Sequence, residues 1–271
     1  MSNQAFLLDD GLPPAAGPGT TITLEGAEGH HAVTVKRVRA GEQIDLLDGA
    51  GTRAGCTVLT TDKASLTARV DRITHEAAPG VEIVLVQALA KGDRDLQAVE
   101  AAVELGVEAV IPWQADRSVV RWPAAKAEKG RQKWAGTVRS AVKQSRRTWL
   151  PPVAGVVTTA QLAGQLPADR AAQPSHLAII LHEAATEPLS VVVRDFLDGL
   201  EAPGTGGEDQ AGRPTILLIV GPEGGISEAE VQRLVAAGAR TALLGRHVLR
   251  ASTAGPAALV LTRHLAGVLD D

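Results

Sequence analysis

From residue 81 onward, short apolar runs alternate with segments that have helical periodicity. The run 81–89 is almost wholly apolar, as expected of a parallel strand that is buried on both faces. A chain in which strands alternate with helices in this way is expected to form an α/β domain around a mainly parallel sheet. Ligands of such domains bind at the carboxyl ends of the strands, so the loops after the apolar runs are candidates for a functional site.

Three loops in the last quarter of the chain fit this expectation. The first, 219–227, contains three glycines and a proline within the five residues 221–225. The second is 243–245 and the third is 248–254. Glycine lets a ligand approach backbone N–H and C=O groups closely, and none of the loops matches a phosphate-binding pattern. The three loops therefore predict a site for a small, largely neutral ligand that is held by backbone groups.

Apolar periodicity and capping signals predict the elements of this domain. Asp93 is a candidate N-cap for the first helix, and Gly106 is a candidate stop. Ser227 and Glu230 form the Ser-x-x-Glu pattern of a capping box for a later helix. Pro112 is expected to end the second strand. The expected strands are 81–89, 108–111, 177–181, 215–220 and 241–244. The expected helices, besides the two with capping signals, are 124–146, 188–197 and 252–268.

The first 75 residues have a different pattern, in which short runs alternate apolar and polar residues between turn signals such as 48–51. This pattern predicts a small all-β barrel at 1–75, followed by a linker at 76–80 and the α/β domain at 81–271. Within the α/β domain, residues 199–214 include five glycines and two prolines among charged residues. We predict a flexible surface loop there.

The composition excludes several classes of protein. The single cysteine, Cys56, excludes a disulfide framework and a cysteine-based zinc site, and we expect no metal. No apolar run of about 18 residues could span a membrane, and the first ten residues lack the features of a secretory signal. Aromatic residues make up only 2% of the chain, which argues against a nucleic-acid site built on stacking platforms. We therefore expect a soluble, cytoplasmic protein.

Positive charge is concentrated in one segment of a chain whose formal net charge is -4. Residues 117–147 contain ten Lys or Arg and one Glu, a net charge of about +9. Arg139, Lys143 and Arg147 recur every four residues, so a helix would place them on one face. Residues 36–39 form a second basic group. Such surfaces predict contact with a phosphate backbone, although a solvated helix surface is the alternative.

A series of motifs along nearly the whole chain resembles the RsmE family of SPOUT-class RNA methyltransferases. In chain order, these motifs are His30-His31 with Lys36-Arg37-Val38-Arg39, Ala90-Lys91-Gly92-Asp93, Glu104-Leu105-Gly106-Val107, Gln144-Ser145-Arg146-Arg147, Gly221-Pro222-Glu223-Gly224-Gly225, Leu244-Gly245, and Leu249-Arg250-Ala251-Ser252-Thr253-Ala254. The last three resemble the loops that hold S-adenosylmethionine in that family.

The resemblance implies an N-terminal PUA-like β-barrel that binds RNA and a C-terminal SPOUT α/β domain with a deep trefoil knot, a topology that is rare among proteins. It implies a homodimer with active sites at the subunit interface. The implied reaction is methylation of uridine N3 in 16S rRNA of the small ribosomal subunit, with S-adenosyl-L-methionine as donor. No DNA or membrane partner is expected. Two alternatives remain: a SPOUT methyltransferase for another RNA or atom, and a ribosome-assembly factor that binds RNA without turnover.

The resemblance also implies candidate site residues. Arg146, Arg147 and Arg250 are the candidates that favour a uridine anion, and Glu223 is a candidate proton acceptor; these four are the expected catalytic residues. The expected cofactor-binding residues are Leu181, His182, Val220, Gly221, Pro222, Glu223, Gly224, Gly225, Leu244, Gly245, Leu249, Arg250, Ser252, Thr253 and Ala254. The expected RNA-binding residues are His30, Lys36, Arg37, Arg39, Lys91, Arg117, Arg121, Lys133, Arg139, Lys143, Gln144, Arg146 and Arg147.

Some of these assignments have alternatives. Glu223, which lies inside a glycine turn, either accepts the N3 proton or bonds backbone N–H groups. His182 and Glu183 follow a predicted strand and either line the pocket or open the next loop. The family often has Glu where this chain has Ser252 and Lys143. We expect Ser252 to cap the final helix and Lys143 to add to the basic surface.

Overall fold

The chain forms two compact units, each with its own sheet. A computed structural model describes residues 3–166, 175–200 and 213–269. The N-terminal unit consists of Met1–Ala78 with Arg139–Leu150. The C-terminal unit consists of Pro79–Val138 with Pro151–Asp271.

The N-terminal unit contains a five-stranded mixed sheet. Its strands are β1 (Gln4–Leu7), β2 (Thr21–Leu24), β3 (Gln43–Leu47), β4 (Thr52–Thr61) and β5 (Leu66–His75). The strand order is β1-β3-β4-β5-β2; β1 pairs with β3 in parallel, and the other pairs are antiparallel. Apolar side chains that include Phe6, Ile44, Leu46 and Leu66 form one core. The runs that alternate apolar and polar residues, 21–24, 43–47, 55–59 and 66–70, predict β2 to β5, whereas the short β1 was not predicted.

Residues 26–35 are helical, so the prediction of an all-β N-terminal segment is wrong there. Helix α1 (Gly26–His30) is followed by a π-helical turn (His31–Val35). The N–H of Lys36 donates to the carbonyl oxygen five residues earlier at 2.9 Å, which is the bond of a π-helix. The turn buries Ala32 in the core of the unit. The turn is only five residues long, which is too short for the apolar periodicity of a helix or a strand to identify it.

The C-terminal unit contains a six-stranded sheet in which every pair is parallel. Its strands are β6 (Glu82–Ala88), β7 (Ala109–Gln114), β8 (Val157–Thr158), β9 (His176–Leu181), β10 (Thr215–Val220) and β11 (Arg240–Ala242). The strand order is β11-β9-β10-β6-β7-β8. The prediction of an α/β fold with a parallel sheet is confirmed.

The helices that follow β6 along the chain are α2 (Arg94–Glu104), α3 (Ala124–Ser145), α4 (Thr159–Gln165), α5 (Leu189–Leu200), α6 (Glu228–Ala236) and α7 (Ala251–Leu265). All of them except α3 pack on the sheet or on a helix that covers it. α2 and α5 pack against α7, and α4 packs against α6. α7 approaches Leu85 and Val220 on one face, whereas α4 and α6 share a core with Ile180 and Ile219 on the other face.

Strand β7 continues through Pro112, so the prediction that Pro112 ends it is wrong. On one side Pro112 lies opposite Gln87 of β6. On the other side the N–H of Val110 donates to Pro152. Because N–H groups alternate along a strand, the missing N–H of Pro112 faces that second side, where pairing with β8 begins only at Trp113. Proline is tolerated in a strand at such a gap in the ladder.

Helix α2 begins after Asp93, as predicted, but Asp93 makes no side-chain cap bond. Its φ is +56°, and its carboxylate accepts from Nζ of Lys133 at 2.8 Å. Gly106 follows the helix with φ +98°, which is the left-handed conformation that favours glycine.

The glycine-rich segment 199–214 is only partly described. Gly199 and Leu200 belong to α5 rather than to a loop, and residues 201–212 lie outside the described residues. Among the helices that the structure describes, none is long and apolar enough to cross a membrane.

Candidate active site

The three predicted loops line a cavity of about 570 Å³ at the carboxyl ends of β9, β10 and β11, which are neighbours in the sheet. This volume is typical of a small-molecule site. Two of the expected cofactor-binding residues, Ser252 and Thr253, do not line it. The others do: Leu181, His182, Val220, Gly221, Pro222, Glu223, Gly224, Gly225, Leu244, Gly245, Leu249, Arg250 and Ala254.

The glycine loop, residues 221–227, is shaped by close packing. A Cβ at Gly221 would lie 2.6 Å from Cγ1 of Ile226, so a larger residue does not fit without a shift. The N–H of Gly225, whose φ is +72°, donates to the carbonyl oxygen of Pro222 at 2.9 Å. The carbonyl oxygen of Gly224 accepts from Nη1 of Arg117 at 3.1 Å. These contacts define one wall of the cavity.

Glu223 connects the glycine loop to the segment that follows β6. Its Oε1 accepts from the backbone N–H of Lys91 at 3.0 Å and from Nη1 of Arg94 at 3.3 Å. The second contact is also an ion pair. These bonds favour the alternative in which Glu223 bonds backbone N–H groups over the one in which it accepts the N3 proton.

Ser227 and Glu230 form the predicted capping box at the start of α6. Glu230 is buried, and its Oε1 accepts from the N–H of Asp116 at 2.8 Å and from the hydroxyl of Thr159 at 2.6 Å. Burial raises the pKa of Glu230, but hydrogen bonds from Thr159, Asp116 and Ser227 outweigh burial and hold the pKa below its ordinary value. The carboxylate thus fixes the loop that carries Arg117, a residue of the cavity wall.

Arg250 is the N-cap of α7, so the prediction that Ser252 caps this helix is wrong. The helix begins at Ala251, and the N–H groups of Thr253 and Ala254 donate to the carbonyl oxygen of Arg250 at 2.8 and 2.9 Å. Ser252 therefore lies inside the first turn, where its side chain is not in the N-cap position.

The wall of the cavity also contains residues that the sequence analysis did not assign to the cofactor. Most are direct neighbours of assigned residues, so extending each loop to the adjacent strand and helix would have included them. Arg94 and Arg117 are different, because they follow β6 and β7 and contact the glycine loop through Glu223 and Gly224. These additional wall residues are Arg94, Arg117, Glu183, Ile226, Leu243, Arg246, His247, Val248 and Ala251.

Four of the predicted RNA-binding residues, His30, Lys36, Arg37 and Arg39, surround the π-helical turn of the N-terminal unit. All four are exposed. Arg37, which follows the C-cap residue of the π-helical turn, adopts the left-handed backbone conformation with φ +56°. The ion pairs among described residues include none from Lys36, Arg37 or Arg39, so these cations remain available to a phosphate.

Several predicted RNA-binding residues of α3 have acidic partners instead. Nζ of Lys143 lies 2.7 Å from Oε1 of Glu28, and Nη2 of Arg139 lies 2.7 Å from Oδ1 of Asp9. Lys133 forms the ion pair with Asp93 described above. The positive charge that α3 offers to a phosphate is therefore smaller than the sequence count indicates.

The other expected RNA-binding residues outside the Gln-Ser-Arg-Arg motif lie on the surface. Lys91, Arg117 and Arg121 of the C-terminal unit are exposed, as is Gln144 near the end of α3. Arg121 donates to the carbonyl oxygen of Asp116 at 2.6 Å.

Arg146 and Arg147 form the turn that ends α3. The last helical residue is Ser145, and Arg146 has φ +59°. The N–H of Arg147 donates to the carbonyl oxygen of Val142 at 3.1 Å, which is the 6→1 bond of a Schellman motif. Arg146 thus occupies the left-handed position where glycine is usual. Arg147 lies beyond the helix, so the prediction that it shares a helix face with Arg139 is wrong.

Comparison with known proteins identifies the family. A family model described as an RNA methyltransferase domain matches residues 77–263, and one described as an RNA methyltransferase PUA domain matches residues 24–71. Ribosomal RNA small subunit methyltransferase E of Mycobacterium bovis is 40% identical over 241 residues, which cover 89% of this chain and 85% of the relative. The chain belongs to the ribosomal RNA small subunit methyltransferase E family. The Bacillus subtilis member is 30% identical over 235 residues and 86% of both chains.

Two solved structures with bound cofactor resemble this chain over nearly its full length. The enzyme from Neisseria gonorrhoeae, bound to S-adenosyl methionine, is 27% identical with a TM-score of 0.76, covering 97% of this chain and 98% of its own. A methyltransferase from Legionella pneumophila with bound cofactor SAM is 25% identical with a TM-score of 0.79 and the same coverage. The resemblance to the RsmE family seen in the motifs is thereby confirmed.

Proposed function

We propose that this protein transfers the methyl group of S-adenosyl-L-methionine to N3 of a uridine in 16S rRNA of the small ribosomal subunit. The observation that carries the proposal is the cavity formed by the three loops at the carboxyl ends of β9, β10 and β11, in a member of a family named for methylation of small-subunit ribosomal RNA. Two structural relatives carry this cofactor.

The residues of the cavity fit such a cofactor. Glycines at 221, 224, 225 and 245 leave backbone N–H and C=O groups accessible, and Leu181, Leu244, Leu249 and Ile226 supply apolar walls for a flat heterocycle. When bound, the cofactor supplies a methyl group on a positively charged sulfur that becomes neutral on transfer. The backbone groups of the glycines would hold such a donor, and two carboxylates, Glu183 and Glu223, also lie in the wall of the cavity.

The chain's arginines would prepare uridine N3. The neutral imide nitrogen has no free lone pair, so its proton must leave before methylation. A nearby guanidinium stabilises the anion that results. Arg250 is suited to this role because it lies in the wall of the cavity, and Arg146 and Arg147 are the further candidates. Since N3 takes part in base pairing, the base must also be unpaired or flipped out before it can react.

The N-terminal unit is the proposed RNA-binding part. Its exposed basic residues around the π-helical turn, Lys36, Arg37 and Arg39, supply the charges, and the PUA match covers them. We assign the PUA-like barrel to 1–75, the linker to 76–80 and the SPOUT domain to 81–271. Contacts support extending the N-terminal unit to include Arg139–Leu150.

A trefoil knot in the SPOUT domain and a homodimer complete the proposal, together with a place in the cytoplasm, where ribosomal subunits assemble. Val260, Leu261 and Leu265 of α7 are only partly buried. Apolar side chains of this kind on one helix support a second copy that covers them.

The test uses tritiated S-adenosylmethionine, the full-length protein and small subunits from cells that lack this methylation, followed by digestion to nucleosides. Label in 3-methyluridine is the expected result. Label in another nucleoside would show that the enzyme methylates an atom other than uridine N3. If the protein binds the cofactor but leaves no label in subunits, naked RNA or assembly intermediates, a ribosome-assembly factor would be favoured. Gly221→Ala, with Gly136→Ala as the matched control in α3, shows whether the label depends on the cavity.

A further inference from the structure

The turn that follows α3 is held from outside by Arg53, a residue of β4 that no motif includes. Nη2 of Arg53 donates to the carbonyl oxygen of Arg146 at 2.7 Å. Nη1 of the same guanidinium lies 3.5 Å from Oδ2 of Asp45 on β3. Asp45 is buried and also accepts from Nδ2 of Asn3 at 2.9 Å. One side chain therefore connects a fixed carboxylate to the backbone of the Gln-Ser-Arg-Arg motif.

The peptide between Arg146 and Arg147 is held at both of its polar groups. Arg53 binds its carbonyl oxygen, and its N–H donates to the carbonyl oxygen of Val142. Because a peptide group is planar, fixing both ends fixes the rotation on either side of it. Those rotations decide the directions in which the side chains of Arg146 and Arg147 leave the backbone.

The segment just after the motif, residues 148–150, is held by hydrogen bonds of its own. The carbonyl oxygen of Thr148 accepts from the N–H of Gly51 at 3.2 Å, and the N–H of Leu150 donates to Gly49 at 2.9 Å. Nε1 of Trp149 donates to the carbonyl oxygen of Glu76 at 3.2 Å. These bonds dock residues 148–150 without reaching the Arg146 carbonyl, so they keep the segment in place when Arg53 is changed.

We propose that Arg53 is a positioning residue of the methyltransferase: oriented by Asp45, it sets the geometry of the Arg146–Arg147 turn and hence the placement of both guanidinium groups at the RNA. This inference rests on the proposed function. Arginine suits the task because its planar fork donates to two acceptors at once, whereas a lysine ammonium on a flexible stem does not hold the same geometry.

The test compares Arg53→Met with Arg69→Met in the full-length protein. Arg69 lies on β5 of the same sheet and makes an ion pair with Asp71 at the same 3.5 Å, but it reaches no motif. Arg53→Met is expected to lower kcat roughly tenfold or more, since a small misplacement of catalytic groups has effects of this order. The dissociation constant of S-adenosylmethionine is expected to stay at the wild-type value in both variants, because the cofactor cavity is lined by the C-terminal unit.

Two further readouts separate positioning from stability. The acidic limb of the kcat–pH profile is expected to move to higher pH in Arg53→Met, since cations that favour the uridine anion are displaced. Arg53→Lys is expected to fall between Arg53→Met and the wild type, and it decides the question if Arg53→Met does not fold. A wild-type kcat and pH profile per folded molecule in Arg53→Met would overturn the inference.

If the proposed methyl transfer itself is wrong, the experiment gives a result that differs from failure of the positioning role of Arg53. In that case the wild-type protein leaves no 3-methyluridine, and the dissociation constant for small-subunit RNA becomes the readout for Arg53. Weaker RNA binding by Arg53→Met than by Arg69→Met would then support a positioning role toward RNA, and equal binding would overturn it.

Discussion

Two substitutions of Arg146, by Gly and by Ala, should lower activity equally but differ in stability, with the Gly variant the more stable. The φ of Arg146, +59°, is the left-handed conformation, which costs a residue with a Cβ about 1–2 kcal/mol. Arg146→Gly removes this cost but adds about 0.5–1 kcal/mol of chain entropy in the unfolded state. The difference predicts a net gain in the free energy of unfolding of about 0.5–1 kcal/mol relative to Arg146→Ala, which keeps the Cβ.

This gain corresponds to a rise in Tm of about 1–4 °C for a chain of this size. Thermal unfolding followed by circular dichroism measures it, and methyl transfer to small subunits measures activity on the same preparations. Both variants lack the guanidinium, so both are expected to lose rate by about the same factor. The account of the turn is refuted if Arg146→Gly is no more stable than Arg146→Ala. Full turnover in both variants would remove Arg146 from the catalytic assignment.

Three further predictions follow from the site and its surroundings. Gly221→Ala brings a Cβ to 2.6 Å from Ile226, and overpacking of this kind costs about 1–3 kcal/mol. Calorimetry is expected to show a dissociation constant of S-adenosylmethionine that is about tenfold higher. Gly136→Ala, whose Cβ meets no described atom within 4 Å, is expected to leave the dissociation constant unchanged. Glu230 has a pKa below its ordinary value, so its stabilising effect is present above the unfolded pKa and is lost as pH falls through the folded pKa. The Tm of Glu230→Gln should therefore vary less with pH below about 4.5 than the Tm of the wild type. The same dependence of Tm on pH in both proteins would contradict the hydrogen-bond network. Lys36→Ala is expected to reduce the salt dependence of RNA binding by about one phosphate contact. Lys143→Ala should instead lower the free energy of unfolding by about 1–3 kcal/mol, because it leaves Glu28 without its closest partner. A reduced salt dependence in Lys143→Ala with unchanged stability would show that Lys143 contacts RNA.

The sequence was sufficient for those parts of the fold that depend on local pattern. Apolar runs predict β6, β9 and β10, and the capping box at Ser227 predicts the start of α6, because burial on both faces and hydrogen bonding at a helix end depend on nearby residues. The three loops were also placed together correctly, since parallel strands present their carboxyl ends at one edge.

Features that depend on residues distant in the chain could not be predicted. Pro112 continues a strand because its neighbour β8 starts late, and the sequence does not show where a partner strand begins. Lys143 is paired with Glu28 across 115 positions, so counting charges along a helix overestimates the free charge. Arg147 does not lie on the helix face because Arg146 adopts the left-handed backbone conformation and ends the helix. Sequence patterns predict that conformation at glycine and not at arginine.

The measurement that tests the central proposal most directly is mass spectrometry of nucleosides from small subunits treated with the protein and S-adenosylmethionine. The proposal predicts that one uridine per subunit becomes heavier by one methyl group and coelutes with 3-methyluridine, in wild-type samples and not in samples without cofactor. An unchanged uridine population in subunits that lack this methylation, with cofactor binding intact, would contradict it.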